Sequence, residues 1–172
     1  EMKQILVGFA EKIDIINMNN IPMQHTIELM KNKNQLQQKV VGFIKNADLY
    51  MDNFEYVDMD RIQLKTGEGV EKPDEKVLDI PENIMDQIRL VSTYKGVHVP
   101  SMMFDSTGTK KIAAIASYVI EALEQGRILV VDELDSSIHF KLTRAIVAMF
   151  NNELNTSAQM IFTVHDINLM DC

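Results

Sequence analysis

Three polar clusters in this chain hold residue types that can do chemistry. The first is Asp132-Glu133, directly after the apolar run Ile128-Leu129-Val130-Val131. Four apolar residues followed by two acids predict adjacent carboxylates at the end of a buried strand. There one can help hold Mg²⁺ and the other can polarise an attacking water. The second is Thr163-Val164-His165-Asp166, which closes the apolar run Met160-Ile161-Phe162. An imidazole at that point can contact a terminal phosphate and sense its loss. The third is Asp105-Ser106-Thr107-Gly108-Thr109-Lys110-Lys111, leading into an alanine-rich stretch. A Ser/Gly/Thr turn at a helix start offers hydroxyls and free backbone N–H groups to an anion.

Taken singly, each cluster also has a plainer reading. Two solvated acids can simply end a strand, Asp166 can cap a helix beside an incidental His165, and Ser106 or Thr107 can be an ordinary N-cap. Two other functions compete. A metal-dependent nuclease would use Asp132, Glu133 and Asp135, because an Asp-x-x-Asp array can hold two metals. Asp135 falls past the strand end, however, and no lysine stands beside the cluster in sequence. A non-catalytic interaction module would dock a partner on the helix predicted for Gln24 to Ala47 or on the loop at residues 66–79.

The elements that must position these clusters follow from apolar periodicity. Met2 to Glu11 has a helical apolar face, and Ile13, Ile15 and Ile16 read as a short strand. Asn17 to Pro22 is a turn, and Gln24 to Ala47 a single long amphipathic helix. Phe54 to Lys65 alternates as a strand. Residues 66–79, with two glycines, a proline and several charges, form a linker. Pro81 opens a short helix to about Ile88. Val91 to Tyr94 and Val97 to Met103 are extended, with Lys95-Gly96 turning between them. From Phe104 the texture changes. Lys111 to Leu123 is a helix ended by Gly126, and Ile128 to Val131 a strand buried on both faces. Ile138 to Phe150 is a helix, Gln159 to Val164 a second buried strand, and a last helix starts near Asp166. Helix, strand, helix, strand implies an α/β fold with a mainly parallel sheet, in which ligands sit at the carboxyl ends of strands.

Composition narrows the class. An apolar fraction of 46% excludes a disordered acidic tail. The net charge of −8 divides evenly on either side of Met103, so neither part is a basic nucleic-acid module. No apolar run is long enough for a membrane span, and no signal peptide opens the chain. The one cysteine, Cys172, excludes an internal disulfide and a cysteine-based zinc site, and points to a reducing, cytoplasmic setting. The 12 methionines read as core filler.

Together the clusters are far more specific than any one of them. A Ser-x-Gly turn before a helix, an apolar run ending in Asp-Glu, and a strand-end His follow one another in the order of the signature motif, Walker B, D-loop and switch His of ABC-type ATPases. The wording "DSTGTKK", "ILVVDELDSSIH" and "AQMIFTVHDINLMD" resembles ABC/SMC-like AAA-family ATPases of bacterial defence and abortive-infection loci, relatives of the overcoming-lysogenisation-defect ATPases. The resemblance is strong over Phe104 to Asp171 and extends, more weakly, over Phe43 to Met103 through "FIKNADLYMDNFEYVDMD".

It implies a partial P-loop NTPase core of the ABC type over residues 104–172, and a helical and β lid subdomain with part of the core over residues 1–103. Ser106, Gly108 and Thr109 would then belong to the signature turn, which meets ATP bound by an opposite subunit. Asp132 would be the Mg²⁺ ligand, Glu133 the catalytic base, and His165 the switch. Ser136, Ser137 and His139 would form the D-loop across a homodimer interface, and the cycle would drive an effector, such as a nuclease, in phage defence or nucleic-acid transactions. Two departures from transporters, Asp105 and Thr107 in the signature and His139 in the D-loop, point to the non-transporter branch.

No G-x-x-x-x-G-K-[ST] occurs among the 172 residues, and Gln24, Gln35, Gln37 and Gln38 stand outside a Q-loop context. The resemblance therefore implies a C-terminal part of a longer ATPase whose phosphate-binding loop comes earlier. By itself this piece is expected to hydrolyse ATP very slowly or not at all, and its open sheet edge would be available to a second copy.

Overall fold

The computed structural model describes residues 10–32, 35–48, 50–57 and 81–166. Residues 2–9 of the expected first helix, residues 58–65 of the expected long strand, the linker 66–79 and the helix expected after Asp166 lie outside the described residues.

Two small sheets share one helix. The first holds β1 (Ile13–Asn17), β5 (Ile128–Asp132) and β6 (Gln159–Phe162), ordered β1-β5-β6 and parallel throughout. Parallel strands need crossovers, and α6 (Phe140–Phe150) makes the one from β5 to β6. The second sheet holds β2 (Asn53–Tyr56), β3 (Leu90–Tyr94) and β4 (Val97–Pro100) as an antiparallel meander. Lys95 and Gly96, both at positive φ, make its two-residue turn as the sequence predicts. Between the sheets runs α5 (Thr107–Gln125). Its Ile115, Val119 and Ala122 pack with Leu129, Val131 and Ile146 over the parallel sheet. Its Ala113, Ala116 and Ile120 pack with Ile27, Met30, Val40, Ile44 and Phe54 on the other side. The small alanines let a neighbouring helix come close enough for Thr26 Oγ1 to reach the Ala113 carbonyl at 3.1 Å and Ser117 Oγ at 2.9 Å. Gly126 ends α5 at φ 65°, where an added Cβ would fall 2.6 Å from Ser157 Oγ.

The structure corrects several element assignments. The single helix from Gln24 to Ala47 is two, α1 (Gln24–Lys31) and α2 (Gln35–Ala47). A straight helix of that length would run about 36 Å; as two shorter helices, α1 and α2 bring Ile27 and Met30 as well as Val40 and Ile44 to the same core. The extended segment expected to reach Met103 stops at Pro100, and Ser101–Phe104 form the short helix α4. The helix expected from Ile138 starts at Phe140 behind His139, and the one expected from Lys111 starts four residues earlier behind Ser106. The strands expected to be buried on both faces are covered on one. Leu129 and Val131 are buried, but on the other face Val130 is only half-buried and Ile161 is 61% exposed. Among the described residues, helices pack on one face of this sheet only. No helix among them is long and apolar enough to cross a membrane.

A buried charge cluster ties α1 to α3 (Glu82–Arg89). Asp86 accepts from Lys31 Nζ at 2.6 Å and from Tyr56 Oη at 2.6 Å, with Arg89 at 3.7 Å. Burial alone would raise the Asp86 carboxyl, but hydrogen bonds from Lys31 and Tyr56 and the nearby cations hold it below its usual range. The same bond pushes the Lys31 ammonium up. Asp86→Asn is expected to cost about 2 kcal/mol at neutral pH, because it leaves the cations facing a neutral group. A carboxyl held below its ordinary value stabilises above the unfolded-state pKa and ceases to do so as pH falls through the folded one. The wild-type advantage should therefore shrink below about pH 4. Urea midpoints of the two proteins should converge in acid; an equal gap at both pH values would contradict this role.

Candidate functional site

The carboxyl ends of β1, β5 and β6 meet at one edge of the parallel sheet. Register places Asn17 opposite Asp132 and Phe162 opposite Val131. Asp132 lies between its neighbours: Asn17 Nδ2 donates to Oδ2 at 2.7 Å, and Thr163 Oγ1, from just past β6, donates to Oδ1 at 2.6 Å. Each oxygen keeps a second lone pair, and the residue is exposed.

After Asp132 the chain turns sharply. Glu133 has φ 55°, a left-handed conformation unusual for a side-chain-bearing residue. It is held there by its N–H donating to Thr163 Oγ1 at 2.8 Å, by the Leu134 N–H donating to the Thr163 carbonyl at 2.9 Å, and by full burial of Leu134. The turn aims the Glu133 carboxylate between two groups. Asn19 Nδ2 donates to Oε2, and His165 Nε2 stands 3.8 Å from Oε1. His165 is 78% exposed and open to a ligand.

Asp135 does not join this cluster. Its Oδ2 accepts from the backbone N–H groups of His165 and Asp166 at 3.0 and 3.1 Å, which pins the loop after β6. Among the described residues no group of three His, Cys, Asp or Glu side chains could hold a metal ion. An array built on Asp132, Glu133 and Asp135 therefore lacks its third member. What stands at the edge is the Asp132 carboxylate beside the Thr163 hydroxyl. That donor set fits Mg²⁺, which usually takes one or two protein oxygens and completes its shell with water and substrate phosphates.

The Ser-x-Gly turn lies at the start of α5. Ser106 caps the helix, its Oγ accepting from the Thr109 N–H at 3.0 Å. Thr109 is buried, and its hydroxyl donates to Asp48 at 3.0 Å. The Ser106 proton is then left for Thr109 Oγ1, 2.9 Å away. In this conformation Thr109 locks the turn from inside rather than facing the open helix end. Asp105 explains its own departure from the transporter pattern. It is buried and accepts from Ser92, Ser101 and Tyr94 at 2.5, 2.7 and 3.0 Å, which fixes the turn to the β3–β4 sheet. Burial, and then the Asp105 hydrogen bond, push the Tyr94 phenol up.

The structure brings the turn and the loop after β5 together within one chain. A Cβ on Gly108 would stand 3.2 Å from the Ser137 carbonyl. Lys111 Nζ reaches the Ser136 carbonyl and hydroxyl, both at 3.3 Å, and Ser137 Oγ at 3.1 Å. Ser137 has φ 64°. His139 caps α6, its Nδ1 accepting from the Lys141 N–H at 3.1 Å. Sequence reasoning missed Asn17, Asn19, Asp48 and the role of Lys111. Asn17 and Asn19 read as turn residues, and only the β1–β5 register reveals what they face.

This α/β core, with an acid pair at the carboxyl edge of a parallel sheet, is that of a P-loop NTPase-like domain. The family described as "AAA domain, putative AbiEii toxin, Type IV TA system" matches residues 22–171. The chain belongs to that family, and is an AAA-family ATPase domain of the abortive-infection type. No curated protein matches the chain.

The strain at Glu133 is open to test. Glu133→Gly and Glu133→Ala both remove the carboxylate, but only glycine adopts φ 55° freely. The glycine variant is expected to be more stable than the alanine variant by about 1 kcal/mol in thermal or urea unfolding. A less stable glycine variant would argue against a strained turn.

Proposed function

We propose that residues 104–166 carry the hydrolytic half of an ATP site that is completed in a dimer. One observation supports this most. Asp132, Glu133, Thr163 and His165 converge at one sheet edge, where Asp132 and His165 are exposed and, among the described residues, one Glu133 oxygen receives no hydrogen bond. In this reading Asp132, with Thr163 beside it, would hold a Mg²⁺, which would screen the phosphate charge. Glu133 orients and deprotonates the attacking water, and His165 contacts the terminal phosphate. Ser106 and Gly108 present the start of α5 to the nucleotide of the partner subunit, with Thr109 bracing the turn. Ser137 and His139 lie on the loop that crosses between subunits. The loop that cradles the phosphates comes from outside these 172 residues, and the cycle drives an effector, such as a nuclease, in phage defence or nucleic-acid transactions.

The hydrogen bonds of Lys111 to Ser136 and Ser137, with Gly108 too close to the Ser137 carbonyl to admit a side chain freely, support coupling of the two dimer elements. The nuclease alternative loses support because, among the described residues, no group of three His, Cys, Asp or Glu side chains could hold a metal ion, and Asp135 Oδ2 accepts from backbone N–H groups instead.

Glu133→Gln in the full-length protein is the direct test. It keeps the shape and the left-handed turn but removes the base. Turnover is expected to fall by about 100-fold or more, with ATP still bound. Unchanged hydrolysis would refute the assignment. DNA cleavage with Mn²⁺ and no nucleotide, abolished by the same substitution, would favour the nuclease.

A further inference from the structure

Glu133 is a half-buried carboxylate on a strained turn, and such a side chain samples several rotamers unless something holds it. The end of β1 supplies the holder. Asn19 Nδ2 donates to Glu133 Oε2. The carboxylate fixes the orientation of that amide. An ionised carboxylate can only accept, so the NH₂ must face Glu133. The Asn19 carbonyl oxygen then faces Ser136 Oγ, which donates to it at 2.6 Å. The Asn19 backbone N–H donates to Asn17 Oδ1 at 2.8 Å, and Asn17 passes its own NH₂ to Asp132 at 2.7 Å. Two asparagines from one strand end thus each hold one acid of the pair. The donor on Glu133 is neutral. It orients the carboxylate without cancelling the charge that a base needs, as a lysine there would.

We propose that Asn19 is the positioning residue for Glu133. It clamps Oε2 so that Oε1, on the His165 side, is the oxygen presented to the attacking water. This rests on the ATPase reading above. It adds a residue outside the three motif clusters, and it assigns roles to the two carboxylate oxygens.

The test compares Asn19→Ala, Asn19→Asp and Ser136→Ala in the full-length protein. Asn19→Asp is isosteric and can still accept from Ser136, but it faces Glu133 with an acceptor in place of a donor. Both Asn19 variants are expected to lose about 10- to 100-fold in kcat with KM for ATP unchanged, and Ser136→Ala to lose less. Adding Asn19→Ala to Glu133→Gln should produce no further loss in single-turnover rate. A nucleotide-free crystal structure of Asn19→Ala should show the Glu133 carboxylate displaced. Wild-type kcat in both Asn19 variants, while Glu133→Gln stops turnover, would overturn the proposal and leave the ATPase reading intact. An equal further loss in the Glu133→Gln background would also overturn it, since Asn19 would then act on folding or binding. Full turnover by Glu133→Gln would overturn both readings together.

Discussion

The parallel pairing of β1 with β5 is the constraint on which the rest of the site depends. It sets Asn17 across from Asp132 and so carries the Asn19 side chain to Glu133. The pairing is held at both ends. Arg127 grips Asp14 with two bonds, at 2.6 and 2.9 Å, where the strands begin, and the Met18 N–H donates to the Asp132 carbonyl at 3.0 Å where they end. Between them Ile16, Leu129 and Val131 enter the core on one face. A slip of β1 by one residue would turn Ile16 to solvent and bring Ile15 inward, so burial itself enforces the register.

The second dependence is on α5. One helix contributes to both hydrophobic cores, and its first turn carries the Ser-x-Gly segment. The turn therefore cannot move independently of the β2–β3–β4 side, to which Asp105 ties it, or of the loop after β5, to which Lys111 ties it. These polar ties bridge two apolar bodies. A buried carboxylate such as Asp105 is tolerable there because three hydroxyls satisfy it.

Strain is concentrated where the chemistry is proposed. Glu133 and Ser137, two of the three non-glycine residues at positive φ among the described residues, bracket one short loop. Each such conformation costs on the order of 1 kcal/mol or more. Burial of Leu134 between them and of Ile138 just after Ser137 offsets part of that. The arrangement turns the Glu133 carboxylate outward while the apolar residues beside it anchor the backbone.

The acid pair, the strand-end histidine and the serine-capped helix were legible in the chain, because each is a local pattern: an apolar run with a polar end, or a turn residue before a helical period. The parallel order and the hairpin at Lys95-Gly96 were legible for the same reason. The break between α1 and α2, the open face of the sheet and the one-turn helix after Pro100 were not, because apolar periodicity says which residues want burial and not what arrives to bury them. Asn17 and Asn19 show the limit most clearly. An asparagine after a strand satisfies every local rule for a turn, and its role depends on which strand lies beside it, more than a hundred residues away in sequence. The sequence alone thus determined the chemical groups and their order along the chain. Only the tertiary structure decided which oxygen each donor meets, because hydrogen bonds act over about 3 Å and strand register, a property of two segments together, sets distances on that scale.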